Sequence, residues 1–141
     1  MPRSIVLAVE TSAPATVIHD AITTTEGLRS FWTIDADAGE GGELRFGFEA
    51  APVDLTMTVA ALEPPKLVRW SRIGPWPGWA DTEIAWRITD GGESRIVTFR
   101  HDGWADETPD HDLGSVALTW AHVLDALKQY TETGRPAPVF G

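Results

Sequence analysis

The stretch LTWAHVLDALKQYTETG, residues Leu118–Gly134, decides the fold because it has the pattern of a long amphipathic helix. Its apolar residues recur every three or four positions, which puts their side chains on one face of an α-helix. The same spacing extends back to Leu113, and Gly134 followed by Pro136 is a typical helix end. The predicted helix is therefore roughly 24 residues long, or ~36 Å. Its apolar face consists of Leu113, Val116, Ala117, Trp120, Val123, Leu124, Leu127 and Tyr130.

The start of this helix is less sharply marked than its end. Thr108 is a plausible cap, and Pro109 directly after it suits a first helical turn. Gly114, however, costs about 1 kcal/mol relative to alanine inside a helix. We therefore expect the helix to begin either at that cap or only after Gly114.

Before this helix, the chain shows the polar–apolar alternation of half-buried β-strands. In ELRFGFE, Glu43–Glu49, one leucine and two phenylalanines fall on the same side. Alternation of this kind indicates an antiparallel sheet with one buried and one solvent-facing side. The further strand segments are VDLTMTVAAL (Val53–Leu62), PPKLVRWSRI (Pro64–Ile73), DTEIAWRITD (Asp81–Asp90) and, after the turn Asp90-Gly91-Gly92, a strand that ends at His101.

The N-terminal part predicts one strand and two short helices. SIVLAVET, Ser4–Thr11, is apolar and β-branched, and Ser12 and Pro14 are expected to start a helix. TTTEGLRSFW, Thr23–Trp32, predicts a second short helix.

This order of elements predicts an α+β fold. We expect a curved antiparallel sheet of about six or seven strands wrapped around the C-terminal helix, because only that helix is long enough to cover the sheet. The whole chain, 1–141, is expected to form one domain, with its core in 4–134 and a loose tail, 135–141.

Composition and charge argue against several classes of function. The formal net charge is −10 and the chain contains no cysteine. An acidic surface repels phosphate groups, so nucleic acids and anionic membranes are poor partners. No apolar run approaches the ~20 residues of a membrane helix, and the first residues lack a signal-peptide core. We expect a cytoplasmic protein without membrane insertion, present as a monomer or homodimer.

Tryptophan is frequent, with 7 among 141 residues. Indole rings either fill a thick core or form the walls of an apolar cavity, where their N–H groups can bind a polar ligand atom. Both interpretations stay open, but a sheet that grips a helix leaves room for a cavity between them. We expect it to bind a small hydrophobic or aromatic molecule. The candidate lining residues are Trp32, Phe46, Met57, Trp70, Trp86, His101, Trp104, Val116, Trp120 and Leu124.

The loop GPWPGWA, Gly74–Ala80, carries Trp76 and Trp79 between two strands. Its prolines stiffen it. Three interpretations are open: tryptophan stacked on proline at the surface, a lid over the cavity, or a patch that binds a protein partner.

Few polar residues are candidates for chemistry. His101 is either hydrogen-bonded to the backbone at a strand end or a polar anchor for a ligand. Arg45 alternates with buried residues and is expected to face outward, whereas the directions of Arg69 and Arg100 stay open. An inward arginine would bind a carboxylate or an enolate. His19 and His122 are expected to be exposed.

No catalytic residue, metal or cofactor is predicted. The acidic loop from Ala105 to Asp112 fits no calcium-binding spacing. The chain also has no phosphate-binding glycine motif and no nucleophile elbow.

Five motifs stand in the order of a known family. They are VETSAPATVIHDAITTTEGLRSFW (9–32), GEGGELRF (39–46), VAALEPPKLVRWS (59–71), RIVTFRHDGW (95–104) and TWAHVLDALKQYTETG (119–134). Together they cover about 4–134 and resemble the SRPBCC (START-like, helix-grip) superfamily. Within it they are most similar to the Aha1-type C-terminal domain, the activator of heat-shock ATPase homologue-like family. Thr119, where relatives often carry glycine, and the tryptophan-rich Gly74–Ala80 loop depart from the family pattern.

The resemblance implies a helix-grip fold and three possible functions, because this fold hosts carriers, cyclases and co-chaperone modules. Binding of a small hydrophobic molecule is the first. The second is a protein-interaction or co-chaperone-like module. The third is a cofactor-free polyketide-cyclase-type enzyme, for which His101 would be the first candidate for a titratable pocket group.

Overall fold

Seven antiparallel strands form one curved sheet, and the long C-terminal helix packs against its concave face. The computed structural model describes residues 2–141. The strands are β1 (Arg3–Thr11), β2 (Asp35–Ala38), β3 (Glu43–Gly47), β4 (Leu55–Glu63), β5 (Leu67–Gly74), β6 (Glu83–Asp90) and β7 (Arg95–Trp104), in the sheet order β1-β7-β6-β5-β4-β3-β2. The helices are α1 (Ala15–Thr23), α2 (Thr25–Phe31) and α3 (Asp110–Thr133), with a 3₁₀ turn at Glu40–Gly42. The predicted α+β helix-grip fold is confirmed.

Helix α3 has the predicted length and begins at the earlier of the two expected positions. It contains 24 residues and includes Gly114. Pro109, rather than Thr108, occupies the N-cap position and provides no side-chain hydrogen bond. At the other end Gly134 adopts a φ of 74°, and its N–H donates to the Tyr130 carbonyl at 2.7 Å, which confirms the predicted glycine cap. Over residues 2–141, no helix is both long and apolar enough to cross a membrane.

The two short helices start differently from one another. The Thr24 hydroxyl accepts a hydrogen bond from the Gly27 N–H at 3.0 Å and so caps α2. For α1 the expected cap is wrong, because Pro14 occupies the N-cap position. Ser12 instead donates its backbone N–H to a Glu132 carboxylate oxygen at 2.9 Å, which ties the β1–α1 junction to the end of α3.

Helix α1 is more deeply packed than the sequence indicates. It contacts β5, β6 and α3, so it packs against both the sheet and the long helix. His19, expected to be exposed, is buried with 7% of its surface accessible. His122, on the outer side of α3, is exposed as expected.

Aromatic rings fill the space between the middle of the sheet and α3. Trp120 of α3 lies with its ring centroid 4.5 Å from that of Phe99 and 6.2 Å from that of Trp86. Trp86 in turn packs against Trp70 at 5.5 Å. The alternating strands therefore direct their large side chains into a continuous core, as the sequence predicts.

Three of the strand arginines lie on the opposite, convex face of the sheet. The outward direction expected for Arg45 is confirmed, and Arg69 and Arg100, whose directions the sequence left open, also face outward. Each pairs with a carboxylate on the same face: Arg45 with Asp35 at 2.8 Å, Arg69 with Glu83 at 2.9 Å and Arg100 with Asp102 at 3.2 Å. Since these arginine side chains keep between 38% and 49% of their surface exposed, the ion pairs contribute little to stability.

The tail after α3 forms backbone hydrogen bonds with the end of α2 and with the residues that follow it. The Phe140 N–H donates to the Trp32 carbonyl at 2.9 Å, and the Ile34 N–H donates to the Phe140 carbonyl at 2.9 Å. Further back, the Ala137 N–H donates to the Ser30 carbonyl at 2.9 Å. Thr33 and Phe140 thus form a short parallel β-bridge. No local pattern indicates this pairing, because the partner backbone lies in a distant part of the chain.

Candidate ligand-binding site

An open apolar pocket lies beside the N-terminal half of α3, where the β3–β4 and β5–β6 loops meet the helix. Its volume is about 380 Å³, which falls within the usual size range of small-molecule sites. It occupies one end of the fold because the middle of the sheet is already filled by aromatic side chains. The lining residues are Trp32, Phe48, Ala50, Ala51, Trp76, Trp79, Ser115, Val116, Thr119, Trp120 and Phe140.

Three of the ten candidate lining residues lie in the pocket wall, namely Trp32, Val116 and Trp120. The structure does not bring the other seven to this wall. Trp104 packs with Ile5 and Leu113 in a separate cluster. Five lie in the closed core with at most 2% of their surface exposed: Phe46, Met57, Trp70, Trp86 and Leu124. His101 is completely buried. A role of these residues in binding stays a prediction.

Sequence reasoning missed Phe48, Ala50, Ala51, Ser115 and Phe140 in this wall. Phe48 continues the alternation of the segment Glu43–Glu49, and this pattern could have identified it. Ser115 is one helical turn before Thr119, but its polarity placed it on the solvent side of α3. Phe140 carries no local signal, since it reaches the pocket only through the pairing of the tail with residues 32–34.

The Gly74–Ala80 loop contributes both of its tryptophans to the pocket. The Trp76 indole N–H donates to the Val53 carbonyl at 2.8 Å, which fixes this ring against the β3–β4 loop. The Trp79 ring packs edge-on against Trp76, with 5.3 Å between centroids. Both rings are half-buried. Of the three interpretations of this loop, this position favours the one in which it covers the cavity.

Behind the pocket, His101 connects β7, the β5–β6 loop and α3 through a chain of buried hydrogen bonds. The Trp120 indole N–H donates to His101 Nδ1 at 3.2 Å. An indole nitrogen can only donate, so Nδ1 must be unprotonated and the proton of the neutral ring resides on Nε2. His101 Nε2 therefore donates to the Thr82 hydroxyl oxygen at 3.0 Å. The Thr82 hydroxyl in turn donates to the Trp79 carbonyl at 2.6 Å.

Burial keeps His101 neutral. Desolvation lowers the pKa of His101 from 6.5 to about 3, and the nearby Asp102 carboxylate only partly opposes this shift. The hydrogen bond from Trp120 acts in the same direction, because a proton on Nδ1 would face the indole N–H. His101 thus holds the Trp79 backbone and the Trp120 ring, whose neighbouring indoles both line the pocket, in fixed relative positions.

The pocket offers little polarity to a ligand. Of the lining residues within 2–141, only Ser115 and Thr119 have side chains with hydroxyl groups, and they lie one turn apart on α3. The Thr119 hydroxyl donates to the Ser115 carbonyl at 3.1 Å, which leaves its oxygen free to accept a hydrogen bond. The N–H groups of Trp76 and Trp120 are already bound to protein acceptors. The site is therefore suited to an uncharged apolar or aromatic molecule with few polar atoms.

Comparison with protein families agrees with the resemblance of the five motifs. Residues 12–132 match the family model described as Activator of Hsp90 ATPase homolog 1-like protein. No curated protein sequence matches the chain at a significant level.

Solved structures with the same fold include a relative of similar size. The Aha1 dimer from Colwellia psychrerythraea is 30% identical, with a TM-score of 0.82 over 94% of this chain and 98% of that one. DynU16, described as a putative protein in the dynemicin biosynthetic locus, is 21% identical, with a TM-score of 0.74 over 94% of this chain and 48% of that one. The protein SSP2350 from Staphylococcus saprophyticus is 16% identical, with a TM-score of 0.71 over 96% of both chains. The last two similarities show the fold alone.

Proposed function

The chain belongs to the Activator of Hsp90 ATPase homolog 1-like family, and from this premise we propose that it binds a small, uncharged hydrophobic or aromatic molecule in the pocket beside α3. The observation that carries the proposal is the pocket itself. It has a volume of about 380 Å³, and its walls are mainly apolar and aromatic, with the side-chain hydroxyl groups of Ser115 and Thr119 among them. Burial of ~300 Å² of apolar ligand surface would contribute about 7 kcal/mol before the costs of association.

Two features of the wall support binding of an aromatic guest. Trp32, Trp79 and Trp120 present ring surfaces to the same space, and aromatic rings attract one another beyond simple burial. The hydrogen-bond chain through His101 also holds two of these rings in place before any ligand arrives. A preorganised wall lowers the entropy that is lost on binding.

The proposal can be tested with N-phenylnaphthylamine, a neutral probe whose fluorescence rises in apolar surroundings. The variant Val116→Trp places an additional indole in the pocket wall and should fill much of its volume. We expect its affinity for the probe to fall at least about tenfold, equivalent to about 1.4 kcal/mol. The matched control is Leu118→Trp, which adds the same ring two positions away on α3, where the side chain is 62% exposed.

An unchanged affinity in the folded Val116→Trp variant would place the bound probe elsewhere on the protein. Equal weakening in both variants would show that the added indole acts through the helix rather than through the pocket. No binding of the probe to the unmodified protein would contradict the proposal.

A polyketide-cyclase-type activity is the alternative that the helix-grip resemblance implies, but the position of His101 does not favour it. Both ring nitrogens already have partners, and the ring is completely buried. To act as a base, His101 would have to leave Thr82 or Trp120 and open a path to the pocket. Turnover of a linear polyketide analogue that is lost in His101→Gln but retained in Ser115→Ala would favour the enzyme.

The interaction alternatives have their own tests. The Colwellia psychrerythraea relative is described as a dimer, and we propose a homodimer here on that basis. Light scattering after gel filtration would measure the oligomeric state.

A co-chaperone-like role would require the chain to bind the corresponding chaperone, with the Gly74–Ala80 loop as the expected contact. A pull-down at micromolar concentration without retained protein would contradict that role.

A further inference from the structure

A second cavity lies next to the apolar pocket, and only a thin wall of side chains separates the two. This outer groove has a volume of about 540 Å³ and extends along residues 33–35, 47–50 and 139–141. Phe48, Ala50 and Phe140 line both cavities. The rings of Phe48 and Phe140 meet edge to face, with 5.0 Å between centroids. This aromatic pair therefore forms much of the partition.

The two rings of the partition are held very differently. Phe48 directly follows β3, whose backbone is paired with β2 and β4 on its two sides. Phe140 belongs to a tail in which residues 134–137 are exposed, and its backbone is fixed by the two hydrogen bonds to Trp32 and Ile34. Displacing this bridge would break far fewer backbone hydrogen bonds than displacing a strand that is paired on both sides, and each such bond contributes only modestly to stability. Phe140 is thus the side of the partition that can be displaced without disturbing the sheet.

We propose that Phe140 is a specificity-determining residue that sets the length of ligand the pocket accepts. With Phe140 against Phe48, the pocket admits a compact apolar body. When the ring moves away, the two cavities join, and a chain attached to that body can extend into the outer groove. This inference rests on the proposed binding function, because it assigns the tail a role in that same pocket.

The chemistry of the groove limits what can extend into it. Its rim includes the carboxylates of Asp35, Glu49 and Asp54. Arg45 pairs with Asp35 at 2.8 Å and with Asp54 at 3.2 Å, whereas no ion pair is found for Glu49 within residues 2–141. An uncharged alkyl chain is therefore compatible with the groove, and a chain that ends in a carboxylate is disfavoured.

The test uses two neutral fluorescent probes with the same aromatic body, the propionyl and hexanoyl derivatives of dimethylaminonaphthalene. In Phe140→Ala, the affinity for the hexanoyl probe relative to the propionyl probe should rise at least about tenfold, because the additional methylene groups gain a buried path. Phe140→Trp should lower the same ratio. Pro138→Ala is the control, since Pro138 lies in the same tail but lines neither the pocket nor the groove, and it should leave the ratio unchanged.

A second measurement follows the tail directly in the unmodified protein. If the hexanoyl probe displaces Phe140, the amide hydrogens of Ile34 and Phe140 should exchange faster with that probe bound than with the propionyl probe. An unchanged affinity ratio in Phe140→Ala, together with unchanged exchange, would overturn the role of Phe140 and leave the binding function standing. Absence of binding by either probe would overturn both.

Discussion

At the scale of single residues, one buried histidine links three parts of the wall around the pocket. The indole of Trp120 can only donate a hydrogen bond, so it determines which nitrogen of His101 carries the proton. That proton then determines the direction of the bond to Thr82, and the Thr82 hydroxyl donates its own proton to the Trp79 carbonyl. In this series of hydrogen bonds each group can act only as the donor or only as the acceptor in each bond. His101 therefore has a structural role, because it joins β7, the β5–β6 loop and α3.

The buried state of His101 predicts how stability depends on pH. In the unfolded chain His101 takes up a proton near its ordinary pKa of 6.5, whereas in the folded protein it does so only at about 3. The unfolded state therefore binds more protons in this interval, and the free energy of unfolding decreases as the pH falls from 6.5 towards 3. His101 contributes a slope of up to about 1.4 kcal/mol per pH unit.

Urea unfolding at a series of pH values, compared between the unmodified protein and His101→Gln, isolates this contribution. The variant should be less stable at neutral pH. Its free energy of unfolding should also vary less steeply with pH, because the proton taken up by the unfolded His101 no longer contributes. Parallel curves for the two proteins would argue against a neutral buried His101. Should the variant not fold, ¹⁵N chemical shifts of the imidazole in the unmodified protein report directly whether Nδ1 is unprotonated.

At the scale of elements, the two halves of α3 have different surroundings: the C-terminal half packs in the core, and the N-terminal half lines the pocket. Its C-terminal half buries Val123, Leu124 and Leu127 against the sheet and α1. Its N-terminal half leaves Val116 half-buried and Thr119 exposed at the pocket. The transition falls at Trp120, whose ring packs on the core while also lining the pocket. The C-terminal half of α3 therefore closes one end of the fold, whereas its N-terminal half leaves the pocket open at the other end.

Substitution by alanine should change the free energy of unfolding in opposite directions at Gly114, inside α3, and at Gly134, directly after it. Gly114 lies inside the helix, and a methyl group added there would meet no atom within 4 Å, so Gly114→Ala should raise the free energy of unfolding by about 0.5–1 kcal/mol. Gly134 ends the helix with a φ of 74°, so Gly134→Ala should lower it by about 1 kcal/mol. Urea unfolding of both variants measures these changes. If both variants changed the free energy of unfolding in the same direction, the helix boundaries given above would be contradicted.

At the scale of the whole molecule, a strongly acidic protein surrounds an uncharged pocket. The formal net charge is −10, and the pocket-lining residues found within 2–141 include no arginine, lysine or histidine. An anionic ligand would therefore enter against the field of the protein without finding a cation inside. A neutral ligand is not repelled by the negative charge of the protein and needs no cation in the pocket.

This difference can be measured with two related probes. N-phenylnaphthylamine and anilinonaphthalene sulfonate have the same aromatic rings, but only the second carries a negative charge. The neutral probe should bind at least about tenfold more tightly at low salt. Added salt should narrow the difference by screening the surface charge. Tighter binding of the sulfonate would show a cationic site that these lining residues do not provide.

The sequence by itself determined six of the seven strands, the three helices and their order, whereas no segment was predicted for β2 at Asp35–Ala38. The alternation in Glu43–Glu49 and Asp81–Asp90, the spacing of the apolar residues in α3 and the glycine cap at Gly134 are local signals, and the structure confirms each of them. They succeed because hydrogen bonding and side-chain direction within one element depend on residues that are close along the chain. The family motifs add the arrangement of the sheet around the helix.

Only the tertiary structure decided which side chains meet the pocket. The sequence named Trp86 and not Trp76 among the candidate lining residues, yet Trp86 is completely buried in the core and Trp76 lines the pocket. Phe140 reaches the same wall from the tail through pairing with Trp32 and Ile34. A cavity exists where packed layers separate, and that position depends on contacts between residues far apart in the chain, which no local pattern records.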